Sequence, residues 1–222
     1  MQVGTVDTLY FDPHTQKSSP NDIGILIDVR PIIQEINERF CKMFSSKYIF
    51  NPKGKILFYV SDTVDRAYYN EQYGIGLKAN QIDVNFLFSR ERKTLWRFET
   101  HSMIHELAHN MEISNPHIAK RCKEFFNYRT NGEKELSLNY LWLNDQNTTD
   151  EDKSKYPNGP YEIDEIAKQD NFFTPYCGKV CAGGFTEIFS CGVEMLIANP
   201  EFFKKQDPEY FCFIISLMRG EI

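Results

Sequence analysis

The chain has no apolar run approaching the roughly 18–20 residues that a membrane-spanning helix needs, so no membrane partner is expected. Positive charge is also in short supply. Lys and Arg number 25 against 31 Asp and Glu, a net charge of −6, which argues against a broad nucleic-acid footprint. The one basic cluster, Arg90, Arg92, Lys93 and Arg97, is interrupted by Glu91 and Glu99 and reads as the solvated start of a helix. The first residues, Met1-Gln-Val-Gly-Thr-Val-Asp7, carry neither the basic nor the apolar region of a secretory signal. A chain of this length does not need its six cysteines as disulfides, and free thiols fit a cytoplasmic protein. Cys41, Cys122 and Cys212 lie in apolar or amphipathic stretches and read as reduced core residues. Internal repeats and low-complexity tracts are absent.

Apolar material is not scarce. Of 222 residues, 41% are apolar and 18 are Phe, enough to bury the core of one domain expected to span 1–222. Residues 12–22 are turn-rich, and helical spacing of Ile32, Ile33, Ile36, Phe40 and Phe44 follows Pro31. Ile56-Leu-Phe-Tyr-Val60 reads as a buried strand, with further extended stretches at Gly74–Leu77 and Gln81–Phe88. A helix is expected from about Lys93 to Ile113, stopped by Asn115-Pro116. Residues 144–160 are polar and rich in breakers, and read as an exposed loop. Helices over Thr186–Ala198 and Pro208–Met218 complete an α+β plan, strands early and helices late.

Histidine is the scarcest informative residue, five in all, and two stand four apart in His105-Glu-Leu-Ala-His109. On a helix that spacing puts both imidazoles about 40° apart on one face, one turn above the other. Two such rings can bind one tetrahedral Zn2+. Glu106 lies about 100° round the helix, poorly placed as a ligand. It is placed instead to accept a proton from a water that the zinc has acidified. Trp96, Met103, Leu107 and Met111 form an apolar stripe opposite the histidines, which points them away from the core. The bland alternative, two ordinary histidines on an exposed helix, does not account for that facing.

A zinc site needs a third protein ligand and an open position. Glu187 is the favoured residue. It shares a stripe with Ser190, Cys191, Glu194 and Ala198 on a helix otherwise covered by Ile188, Phe189, Val193, Leu196 and Ile197. An acid on so apolar a helix needs a partner, although a first-turn acid is also stabilised by the helix dipole alone. Glu112 lies on the histidine face but about 10 Å along the axis from His105, better suited to orienting His109. His117, beyond the helix stop, and His101, one turn before His105, are further candidates. His14 reads as an exposed loop residue, and the Cys177–Cys181 spacing as structural. Tyr161 or Tyr176 could offer a phenol to an oxyanion.

His105-Glu-Leu-Ala-His-Asn-Met-Glu112 followed by Asn115-Pro116 resembles the zincin-like metallopeptidases of phage and bacterial genomes. So do Arg129-Thr-Asn-Gly-Glu133, Pro175-Tyr-Cys-Gly-Lys179, Thr186–Glu194 and the tail from Asp207 to Gly220. The resemblance covers about His101 to Gly220. It implies a zincin-like fold with a small sheet early, an active-site helix and a helical second half. It also implies a two-His, one-Glu zinc site whose downstream acid is Glu187. The motif is similar as well to the three-histidine proteases of the WLM and SprT-like group, where His117 would be the third ligand. Where the metzincin pattern has Gly and its third His, this chain has Glu112 and Asn115.

These readings lead to a zinc peptidase acting on protein or peptide substrates, with Glu106 as general base. Amide hydrolysis on a non-peptide is a second enzymatic reading. A non-catalytic zincin-shaped module, such as a phage-particle component, is a third, and delivery as an effector or phage component is left open. The sequence leaves the natural substrate and the oligomeric state open.

Overall fold

A computed structural model of the chain describes the backbone of residues 23–28, 55–61, 68–70, 74–78 and 99–103, and backbone and side chains of 104–182 and 185–222. The sequence-based helix after Pro31, the strand Gln81–Phe88, the helix start at 93–98, His14 and Cys41 lie outside the described residues. Two compact units divide the chain, residues 1–114 and 115–222.

In the first unit the apolar run Ile56–Val60 lies within strand β2 (Lys55–Ser61). Antiparallel pairing places β1 (Ile23–Asp28) on one side of it, Ile25 opposite Phe58. On the other side β4 (Gly74–Lys78) pairs in parallel, Phe58 opposite Ile75. The edge strand β3 (Tyr68–Asn70) is antiparallel to β4, giving the order β1-β2-β4-β3. A continuous apolar run bounded by turn residues is a strand signal, which is why β2 is legible and the three-residue β3 is not. Helix α1 (Glu99–Ser114) packs on β3 and β4, and its Ile104, Leu107, Ala108 and Met111 are buried.

Helix α1 ends where Pro116 disfavours helical geometry in the residue before it. Asn115 is extended there (φ −127°, ψ 93°), and Pro116 opens helix α2 (Pro116–Arg129) from its first turn. The second unit continues with β5 (Glu135–Ser137), α3 (Leu138–Leu143), α4 (Asp150–Lys155) and β6 (Ile166–Lys168). A 3-10 turn at Pro175–Gly178 follows, then α5 (Ile188–Ala198), α6 (Pro200–Gln206) and α7 (Pro208–Arg219). β5 and β6 pair antiparallel. The chain is thus mixed α and β, and helix-rich from Glu99 onward. Among the described residues no helix is long and apolar enough to cross a membrane.

Three sequence-based expectations need correction. The polar segment 144–160 contains α4, whose Thr149 and Asp152 close a reciprocal capping box. Helix α5 starts at Ile188 and not Thr186, so Glu187 is its N-cap residue. Cys212 is exposed and not a core thiol, because α7 turns Tyr210, Ile214, Leu217 and Met218 inward. Cys122 is fully buried as expected, and the five described cysteines form no disulfide.

Tyr210 is the centre of the second unit's core, fully buried and ringed by Phe125, Phe172, Phe173 and Phe203 at centroid distances of 5.0–5.8 Å. Burial holds its phenol well above the usual value, so it stays a donor, to the carbonyl of Ile188. Gly192 lets α5 approach α7: a Cβ there would stand 2.5 Å from Ile214 and 3.2 Å from the Tyr210 ring. At the core's edge Arg129 donates to both carboxylate oxygens of Asp207 (3.1 and 3.0 Å) and lies 2.5 Å from Asp170. Burial opposes its charge, but Asp207, Asp170 and Glu209 outweigh that and raise its pKa. Asp207 also accepts from the Tyr210 amide to cap α7. Removing the cation would leave buried carboxylates uncompensated. Arg129→Ala is therefore expected to lower unfolding free energy by about 3–5 kcal/mol in urea titration. A loss under about 1 kcal/mol would show that the network adds nothing beyond an exposed pair.

Candidate metal centre

The i, i+4 spacing of His105 and His109 within α1 brings their rings together, with centroids 4.8 Å apart and planes at 77°. The two Nε2 atoms are 3.2 Å apart. Two nitrogens each about 2.0–2.1 Å from one tetrahedral ion stand about 3.3–3.4 Å apart, so this pair fits a shared zinc. Without an ion, the same separation lets the rings share one proton. Glu112 stands beside the other nitrogen of His109. Its Oε2 is 4.0 Å from Nδ1 of His109, at the limit of an ion pair and longer than a hydrogen bond.

Burial here is heavier than an amphipathic helix requires. His105, Glu106, His109, Asn110 and Glu112 are all buried, and so are the apolar residues between them. Polar side chains are seldom placed so deep unless they are partnered or ligate a metal. The side chain of His101 lies outside the described residues, although its backbone belongs to α1.

Glu187 belongs to the second unit, where only 2% of it is exposed. Ser190 donates its hydroxyl to Oε2 at 3.0 Å, and the Cys181 thiol approaches Oε1 at 3.6 Å. Lys179 Nζ lies 3.9 Å from the same Oε1. A carboxylate oxygen of Glu187 and the Cys191 sulfur, one helical turn on, are within 4.8 Å of each other. Cys181, Cys191 and Lys179 thus surround the acid that sequence spacing singled out. Cys191 was legible on the polar stripe of α5, whereas Cys181 and Lys179 come from an irregular segment with no periodic signal.

The other candidates, His117, Tyr161 and Tyr176, all belong to the second unit. His117 is exposed in the first turn of α2, its Nε2 2.8 Å from the carbonyl oxygen of Ile222. Tyr161 and Tyr176 stack at 5.5 Å over Leu138, Leu141 and Ala167, and Lys179 donates to the Tyr176 hydroxyl at 3.4 Å. No protein-family model, curated protein or solved structure matches the chain.

Proposed function

We propose that the chain is a zinc-dependent peptidase of the zincin type, with His105, His109 and Glu187 holding the ion and Glu106 acting as general base. The convergence of two imidazole nitrogens to 3.2 Å inside a His-Glu-x-x-His helix carries this reading. The buried carboxylate of Glu187, in the turn that opens an apolar helix, is the donor chosen for the third position. Zinc, when bound, would supply Lewis acidity, polarising a scissile carbonyl and bringing a water's pKa to about 7.

The chain's own residues supply the rest. His105 and His109 would offer their Nε2 lone pairs, and Glu112, 4.0 Å from Nδ1 of His109, would orient that ring. Glu106, turned about 100° from His105, accepts a proton from the attacking water and returns it to the leaving amine nitrogen. An extended substrate would lie along the backbone of the stretch Gln81–Phe86, which is outside the described residues. An intact Glu106 weighs against a non-catalytic module, since an ion that only stabilises a fold needs no base. The three-histidine alternative would need His117 as ligand, and its contact with Ile222 adds nothing in favour of that set.

Purified full-length chain is therefore expected to hydrolyse an unfolded general substrate such as casein. A zinc chelator should abolish the activity, and added zinc, not magnesium, should restore it. Hydrolysis that continues undiminished in chelator would contradict a metal mechanism.

A further inference from the structure

Lys179 stands between two carboxylates. Its Nζ is 2.5 Å from Oε1 of Glu165 and 3.9 Å from Oε1 of Glu187. It also donates to the Tyr176 hydroxyl at 3.4 Å and lies 5.1 Å from the centre of that ring. The three charged side chains are largely withdrawn from water, Lys179 19% exposed, Glu165 13% and Glu187 3%. The backbone fixes the lysine. Its amide bonds to the Tyr176 carbonyl at 3.0 Å, the next amide bonds to Ile166 at 2.9 Å, and residue 179 bridges to Ala167 of β6.

The distances rank the two pairings. Glu165 has the ammonium at close contact, and Glu187 has it only at the outer limit of an ion pair. Ser190 meanwhile holds the opposite oxygen of Glu187. An ammonium so near a ligand oxygen repels any second cation drawn to it, and in a partly dry setting that repulsion is weakly screened.

On the reading of Glu187 as a metal ligand, we propose that Lys179 is a positioning residue that competes with the metal ion for Glu187, and that Glu165 sets the strength of the competition by drawing the ammonium away. The two neighbours then act with opposite sign. Neutralising Lys179 removes the competitor and tightens zinc binding. Neutralising Glu165 releases the ammonium toward Glu187 and weakens it. A merely structural role would weaken binding in both cases, because either change would loosen the ligand's surroundings.

The test is the zinc dissociation constant of the full chain, measured by competition with a chromophoric chelator. Lys179→Met is expected to bind zinc on the order of tenfold more tightly and Glu165→Gln on the order of tenfold more weakly. The double variant should resemble Lys179→Met, since without the lysine Glu165 has nothing to restrain. Lys179→Gln carries the same expectation and serves if the Met variant fails to fold by circular dichroism. Suppose Glu187→Ala loses zinc, yet the Lys179 and Glu165 variants both weaken binding or leave it unmoved. The competition would then be overturned while Glu187 stands as a ligand. Wild-type affinity in Glu187→Ala would overturn the ligand assignment and this inference with it.

Discussion

Glu106→Gln is expected to reduce peptide hydrolysis by about 10²–10⁴-fold while zinc content stays near the wild-type level. Glutamine keeps the volume and the hydrogen-bonding reach of the side chain but cannot take up a proton, so the change isolates the base from the rest of the centre. Glu106 is buried beside His105, and its replacement by a neutral isostere leaves no new cavity. Loss of activity with metal retained therefore reports chemistry and not misfolding. The alternatives separate on the same variant. If the site were merely a stabilising ion site, the wild-type chain would hydrolyse nothing and the variant would lose nothing. Turnover at the wild-type rate in Glu106→Gln would end the proposed mechanism, whatever the metal does.

The second large effect concerns the ligands. His105→Ala and His109→Ala are each expected to lose both zinc and activity, because each removes one of three protein donors from a tetrahedral set. Glu187→Ala should cut zinc affinity heavily for the same reason. Replacing Glu112 should cost less, about 10–100-fold in affinity, because on the proposed reading Glu112 would act on the ion only by orienting His109. His117→Ala should change little. Its imidazole is exposed on α2 and engaged with the Ile222 carbonyl, a surface contact of small energetic weight.

The sequence makes some of this architecture legible, for local reasons. The end of α1 is written in Asn115-Pro116, because proline acts on the residue beside it. β2 is written in five consecutive apolar residues, and the pairing of His105 with His109 in one helical turn. Other elements lack such a signal. β5 and β6 are three residues each, too short for alternation to register, and α4 has no apolar face. Its one marker is a capping box with Asp152 where Glu or Gln is usual. Helix α2 could have been found, since Ile118, Cys122, Phe125 and Phe126 recur at helical spacing behind a first-turn proline. The surroundings of Glu187 are of another kind. Glu165 and Lys179 meet because a short antiparallel pair, an isolated bridge and a 3-10 turn fold 13 intervening positions back on themselves, and no period in the sequence encodes that. The acid itself stands out by its apolar helix, while the groups around it do not.

The central claim is that one zinc ion is held by His105, His109 and Glu187. Metal content of the folded full-length chain, measured after zinc supplementation and removal of excess ion, tests it most directly. The expected result is close to one equivalent in the wild type and in His117→Ala, almost none in His105→Ala or His109→Ala, and a strong reduction in Glu187→Ala. A folded wild-type chain that holds no zinc would contradict the metal centre altogether. Zinc retained in Glu187→Ala but stripped by His117→Ala would instead assign the site to three histidines.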